Sequence, residues 1–138
     1  IIRSMRNYVC ELLLHLVFVF QELCSIFKQD EVSQFMEQII HGFFSNMQYY
    51  ISNIEIINAN AALQVSVEVE FLKYTLSQYI SSDCEKIVEK LENDMYRILN
   101  NLLGLKEKKN ALQRSKKVFH LTKKKTNLLY ACLKGSIN

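Results

Sequence analysis

A chain of 138 residues, 49% of them hydrophobic, is one domain or a piece of one with enough apolar side chains for a sizeable core. It has no proline and only three glycines, Gly42, Gly104 and Gly135, so tight turns and sheet corners are scarcely possible and the composition is all-helical. The net charge of +3 joins two opposite halves: seven basic residues stand against thirteen acidic before Leu105, and ten against one from Leu105 onward.

The pattern predicts a first helix from about Arg3 to Phe27. Its apolar run, Leu12 to Phe20, is interrupted by His15 and flanked by Glu11, Gln21 and Glu22. A membrane span needs ~20 apolar residues, so a buried core helix is expected instead. Arg3 and Arg6 are followed by no small-residue cleavage site, so no secretory signal is read, and the chain is expected to be intracellular. Asp30 is the expected N-cap of a second helix that continues to about Ile51, and residues 53–60 form the connection.

The stretch that follows permits two readings. Val65, Val67 and Val69 alternate with Ser66 and Glu68, as in a strand. Yet Ala62, Val65, Val69, Leu72, Leu76 and Ile80 recur at three- and four-residue steps with no Gly or Pro between them, which favours a helix ending near Ser81. Leu63, Val67, Phe71 and Tyr74 form a second apolar face, so this helix is expected to be covered on more than one side. Ser82-Asp83-Cys84-Glu85 reads as a capping box for a fourth helix, with Ile87, Leu91, Met95, Ile98 and Leu102 at helical steps and Gly104 as its stop. A fifth helix is expected from Leu105 to about Leu133.

Helices of about twenty residues, each about 30 Å long, joined by short connections pack antiparallel into an elongated bundle without an enclosed polar pocket. The expected fold is therefore all-α, an elongated antiparallel bundle of about five helices: residues 1–104 as a four-helix segment, with 105–138 as a basic amphipathic helix packed on it or extending it. Leu14, Val17, Phe35, Ile39, Leu63, Val67, Leu72 and Leu76 are the expected core.

Cys10, Cys24, Cys84 and Cys132 lie far apart, without the close ligand pairs that zinc needs. They are expected to be reduced, with Cys10 and Cys24 buried as small hydrophobes. His15, His41 and His120 are equally scattered, His15 within a core pattern and His120 on the basic face. Neither a nucleophile-base pair nor a general acid can be assembled from these spacings, so no enzyme is expected.

On a helical projection Lys106, Lys109, Lys116, Lys117, His120, Lys123 and Lys124 share one broad face, and Leu112, Phe119, Leu129 and Leu133 another. That basic face can be a solvated surface or a contact for anionic lipid or an acidic partner, for which clusters of four to eight basic residues are the readable signature. Nucleic acid fits less well, because Lys outnumbers Arg, the segment holds one Phe and one Tyr, and it matches no recognition motif.

Ala61-Ala62-Leu63-Gln64, Phe71-Leu72 and the segment Tyr74 to Tyr79 resemble the penultimate long helix of the last rod domain in multisubunit tethering proteins, most closely exocyst subunits of the Sec-five type. Tyr8 to Val17 and Phe35 to Ile40 are similar to the two helices that precede it in that family, and the resemblance covers Arg6 to Leu91. It implies a non-catalytic subunit, without cofactor or small-molecule substrate, that assembles with other rods to hold secretory vesicles at the plasma membrane. It also implies a cytoplasmic chain, peripheral at sites of secretion. The alternatives are a helical adaptor whose basic last helix binds acidic lipid or an acidic protein, and a rod of a Golgi or endosomal tethering complex. The start at Ile1 without Met suggests a fragment of a longer polypeptide.

Overall fold

The computed structural model describes residues 4–55 and 58–135, and these form six α-helices and one 3-10 turn, with no strand among them. In chain order the helices are α1 (Asn7–Ile26), α2 (Gln29–Ser52), α3 (Ala59–Thr75), α4 (Ser82–Leu102), α5 (Leu105–Lys125) and α6 (Asn127–Leu133), the 3-10 turn being Ser77–Tyr79 between α3 and α4. The expected start at Arg3, and residues 56–57 of the expected connection, lie outside the described residues.

Local chemistry explains most boundaries. Glu31 reaches back to accept from the Lys28 N–H at 3.2 Å, so α2 begins two residues earlier than an Asp30 cap would start it, and Lys28 rather than Asp30 is the N-cap. The Asn58 side chain accepts from the N–H groups of Asn60 and Ala61 and starts α3. Ser81, not Ser82, caps α4, its Oγ accepting from the Cys84 N–H at 3.2 Å; the sequence pattern was one residue out of register. Gly104 does not end α4 in a left-handed turn: its φ is −75°, and it is the N-cap of α5, where Glu107 reaches back to its N–H.

α3 is the centre of the bundle. It packs on α4 along one side and on α5 along another, while α4 also meets α2, and α1 lies against α2 and α6. Ala62, Val65, Val69 and Leu72 are buried together with Val67 and Phe71, so both predicted faces are covered. This helix is shorter than expected. It stops at Thr75, whose hydroxyl donates to the Phe71 carbonyl at 2.8 Å, and the chain passes through the 3-10 turn, which places Tyr79 in the core. There the Tyr79 hydroxyl donates to the Leu133 carbonyl at 2.5 Å and ties the end of α6 to the turn.

Of the expected core, Val17, Val67, Leu72 and Leu76 are buried and Leu63 is half-buried. Leu14, Phe35 and Ile39 are not: they are exposed, at 44%, 38% and 41%. α1 turns Val9, Leu13, Leu16 and Val17 inward, and α2 turns Val32, Met36, Ile40 and Phe44 inward. Both helices are apolar on more than one face, so periodicity alone could not choose which face meets the neighbour. By length and composition α1 is long and apolar enough to cross a membrane, which the nine-residue run understated. Its polar residues Glu11, Gln21 and Glu22 fall on the outer face and do not limit the apolar stretch.

Candidate functional site

The last basic helix breaks where the sequence showed no stop. Thr122 and Thr126 turn their hydroxyls back onto the carbonyls of Val118 and Thr122, both at 2.8 Å, and the chain bends at Thr126 into α6. Such back-bonding satisfies a buried hydroxyl and bends a helix. The same residues form the seam: α5 buries Ser115, Val118 and Thr122, small side chains that let its axis come close to α3. Phe119 sits beside that seam, edge-on to Phe71 at 5.4 Å and to Tyr74 at 5.6 Å, and Tyr130 of α6 stacks on Tyr74 at 5.2 Å. An aromatic cluster therefore joins α3, α5 and α6. Leu112, expected on the buried face, is 56% exposed because the seam begins only at Ser115.

The predicted basic residues lie opposite this seam. Lys106, Lys109, Lys116, Lys117 and Lys124 are exposed, as is His120, and no ion pair among the described residues engages a lysine of α5. Lys123 differs: its Nζ lies 4.9 Å from the centre of the Tyr74 ring and so belongs partly to the aromatic cluster. Of the acidic residues of the earlier helices, Glu92 pairs with Lys73, Asp83 with Lys86, and Asp94 with Lys90 and Arg97. The result is a solvent-facing positive surface on which no lysine is within ion-pair distance of a carboxylate among the described residues.

The bundle also holds a buried charge that no sequence motif marks. Glu68, in the middle of α3, is fully buried. Its carboxylate accepts from Arg6 Nε at 2.9 and 3.0 Å, from the Arg6 backbone N–H, from the Tyr8 hydroxyl at 3.0 Å and from Gln64 Nε2 at 2.9 Å. Hydrogen bonding to this carboxylate raises the Arg6 pKa, and burial, more than the nearby carboxylate, raises that of Tyr8. With its oxygens taken up by donors, Glu68 is an anchor that fixes the start of α1 on α3. In the sequence Glu68 and Glu70 look alike, two carboxylates alternating with valines, and nothing local marks Glu68 as the buried one.

The cysteines are free. Cys84 is buried and its thiol pKa is pushed up by burial, Cys10 and Cys132 are half-buried, and Cys24, expected inside, is exposed at the outer side of α1. Among the described residues no three His, Cys, Asp or Glu side chains cluster in a way that could hold a metal ion.

The arrangement thus offers long surfaces, apolar on α1 and α2 and basic on α5. No curated protein and no solved structure matches the chain significantly. A family does: the sequence model described as Exocyst complex component Sec5 matches residues 2–133. That match spans nearly the whole sequence, and the chain belongs to the exocyst complex component Sec5 family.

Proposed function

We propose that this chain is a non-catalytic rod segment that assembles with other exocyst subunits in the cytoplasm and supports the docking of secretory vesicles at the plasma membrane before fusion. Residues 1–104 supply the packed bundle in this reading, and residues 105–138 supply its outward-facing basic element. Function here is geometric: buried seams make the bundle stiff, and its exposed sides bear on neighbours.

The observation that carries the reading is the unpaired positive face of α5, opposite the helix's own buried seam. Lys106, Lys109, Lys116, Lys117, Lys123 and Lys124 are exposed and form no ion pair within the bundle, so they are free to meet a counter-charge from outside it. The acidic side of a neighbouring rod and the anionic leaflet of a membrane both offer one, at about 1 kcal/mol per lysine near a lipid surface.

The test is reversal of Lys116, Lys117, Lys123 and Lys124 to Glu in the full-length subunit, followed by pull-down of the other subunits and by flotation with acidic and neutral liposomes. Loss of pull-down identifies a protein counterpart, and loss of flotation identifies lipid. Either interaction should weaken steeply with salt, because exposed charges are screened over about 10 Å at 0.1 M ionic strength. Unchanged behaviour in both assays returns the face to a solvated surface.

A further inference from the structure

A groove runs between α3, α4 and the Lys108–Ser115 stretch of α5, and Ser115 is the one buried residue among those that α5 contributes to it. Its cavity of about 220 Å³ is lined on α3 by Leu63 and Val67 and on α4 by Leu99. At its mouth Tyr96 of α4 and Leu112 of α5 line the same cavity while being 67% and 56% exposed. Large apolar side chains scattered singly on a surface need no explanation, whereas these two border one concavity. We propose that this groove receives the apolar anchor residues of an amphipathic helix from another subunit, a helix with acidic residues on the flank that faces α5.

The size of the cavity favours side-chain anchors over a metabolite. Small-molecule sites measure roughly 300–1,000 Å³, whereas one or two buried anchors are what an interface hot spot requires. The form of the partner follows from the walls. All three are helices and the described residues contain no sheet edge, so an added strand has nothing to pair with, while a helix can lay its apolar stripe into the groove. Charge fixes the orientation. Lys108 lines the α5 wall, and Lys109 and Lys116 stand one turn to either side of Leu112, all without an ion pair, whereas Glu70 lines the α3 wall. Acidic groups of the partner therefore lie toward α5 and any basic group toward α3.

Ser115 adds a specific requirement. It lines the cavity, is 9% exposed, and its Oγ has no hydrogen-bond partner. A buried hydroxyl left unpaired is costly, and a polar side chain of the incoming helix, set beside its apolar anchors, would satisfy it.

This inference rests on the reading of the chain as an assembly segment, and the experiment separates the two. A photoreactive phenylalanine analogue replaces Tyr96 in the full-length subunit, the purified complex is irradiated, and the cross-linked peptide is identified by mass spectrometry. The expected product joins Tyr96's position to one helix of another subunit, with apolar residues at i, i+3 or i+4 and i+7 and Asp or Glu along one flank. No inter-subunit product, or one with a basic or non-helical segment, overturns the proposal. Tyr96→Asp and Leu112→Asp, both at exposed positions and checked for an unchanged melting temperature, should weaken co-assembly about tenfold or more. If lysine reversal abolishes assembly while Leu112→Asp leaves it intact, the docking reading stands and the groove proposal falls. If neither variant changes assembly, both fall. Loss of anionic-vesicle flotation without loss of subunit binding in Leu112→Asp assigns the groove mouth to lipid, and the proposal is overturned.

Discussion

α3 and α5 lie side by side in the bundle and meet the same physical demand in opposite ways. α3 buries Val65, Val67, Val69, Phe71 and Leu72 around most of its circumference, whereas α5 buries Ser115, Val118 and Thr122 along one narrow stripe and leaves its lysines in water. The difference shows how stability and recognition are divided within one rod. A helix covered on two sides contributes through lost apolar surface, at roughly 25 cal/mol per Å². A helix covered on one side by small residues contributes less to stability and offers more surface to a partner.

Truncation of the two helices gives the strongest test of that division. Leu72→Ala in α3 should cost about 3 kcal/mol in urea unfolding, within the ~2–5 kcal/mol range for a buried leucine, because a fully buried side chain is replaced by a cavity. Leu112→Ala in α5 should stay within about 0.5 kcal/mol. Equal costs would mean that α5 is as much a core element as α3.

The anchor between α1 and α3 comes next. Arg6→Ala leaves the Glu68 carboxylate buried with Tyr8 and Gln64 as its remaining side-chain donors, and should destabilise by about 2 kcal/mol; a broken buried pair costs ~3–5 kcal/mol, reduced here because Arg6 is itself partly in water. Glu68→Gln, which removes the charge but keeps the shape, should be milder than Arg6→Ala. The reverse order would show that the carboxylate is not what holds the start of α1.

Alkaline pH probes the same core through its phenols. Burial pushes Tyr79 up to about 12 and raises Tyr8 as well. A phenol that holds its proton more tightly when folded stabilises the protein below its unfolded pKa of ~10, and that contribution is lost as pH rises from about 10 to 12. The loss from Tyr79 is on the order of 2 kcal/mol. Tyr79→Phe should flatten this fall, at a cost of about 1 kcal/mol for the hydrogen bond to the Leu133 carbonyl. A stability curve that is flat to pH 12 would place Tyr79 in water.

Thiol chemistry reports burial without perturbing it. Under native conditions an alkylating reagent should modify Cys24 first, Cys10 and Cys132 more slowly and Cys84 last, with mass spectrometry giving the order. The smallest expected stability change belongs to the lysines. Reversal of Lys116, Lys117 and Lys124 should move unfolding by no more than about 0.5 kcal/mol, since exposed charges contribute little, and Lys123 should cost slightly more through its place over Tyr74. A large loss of stability would mean that the basic face is structural.

The legible parts of this fold were those that depend on local pattern. The helix of α3 follows from Ala62, Val65, Val69 and Leu72 at helical steps without a breaker, and its coverage on two sides from the second row Leu63, Val67, Phe71 and Tyr74. The basic side of α5 was equally plain, because like charges at helical spacing share a face whatever the helix packs on. The groove between Tyr96 and Leu112 was not legible, since its walls are separated in sequence and meet only in the folded chain.

The sequence by itself determined that the chain is helical, where most helices lie, and that its two ends carry opposite charge, because these depend on residues within a few turns of one another. Tertiary structure alone decided that Leu14, Phe35 and Ile39 face outward and that Glu68 is buried against Arg6. A helix with two apolar faces has no internal reason to prefer either. The choice is made by the partner that covers one of them, and a buried carboxylate becomes tolerable only when a distant arginine arrives to meet it.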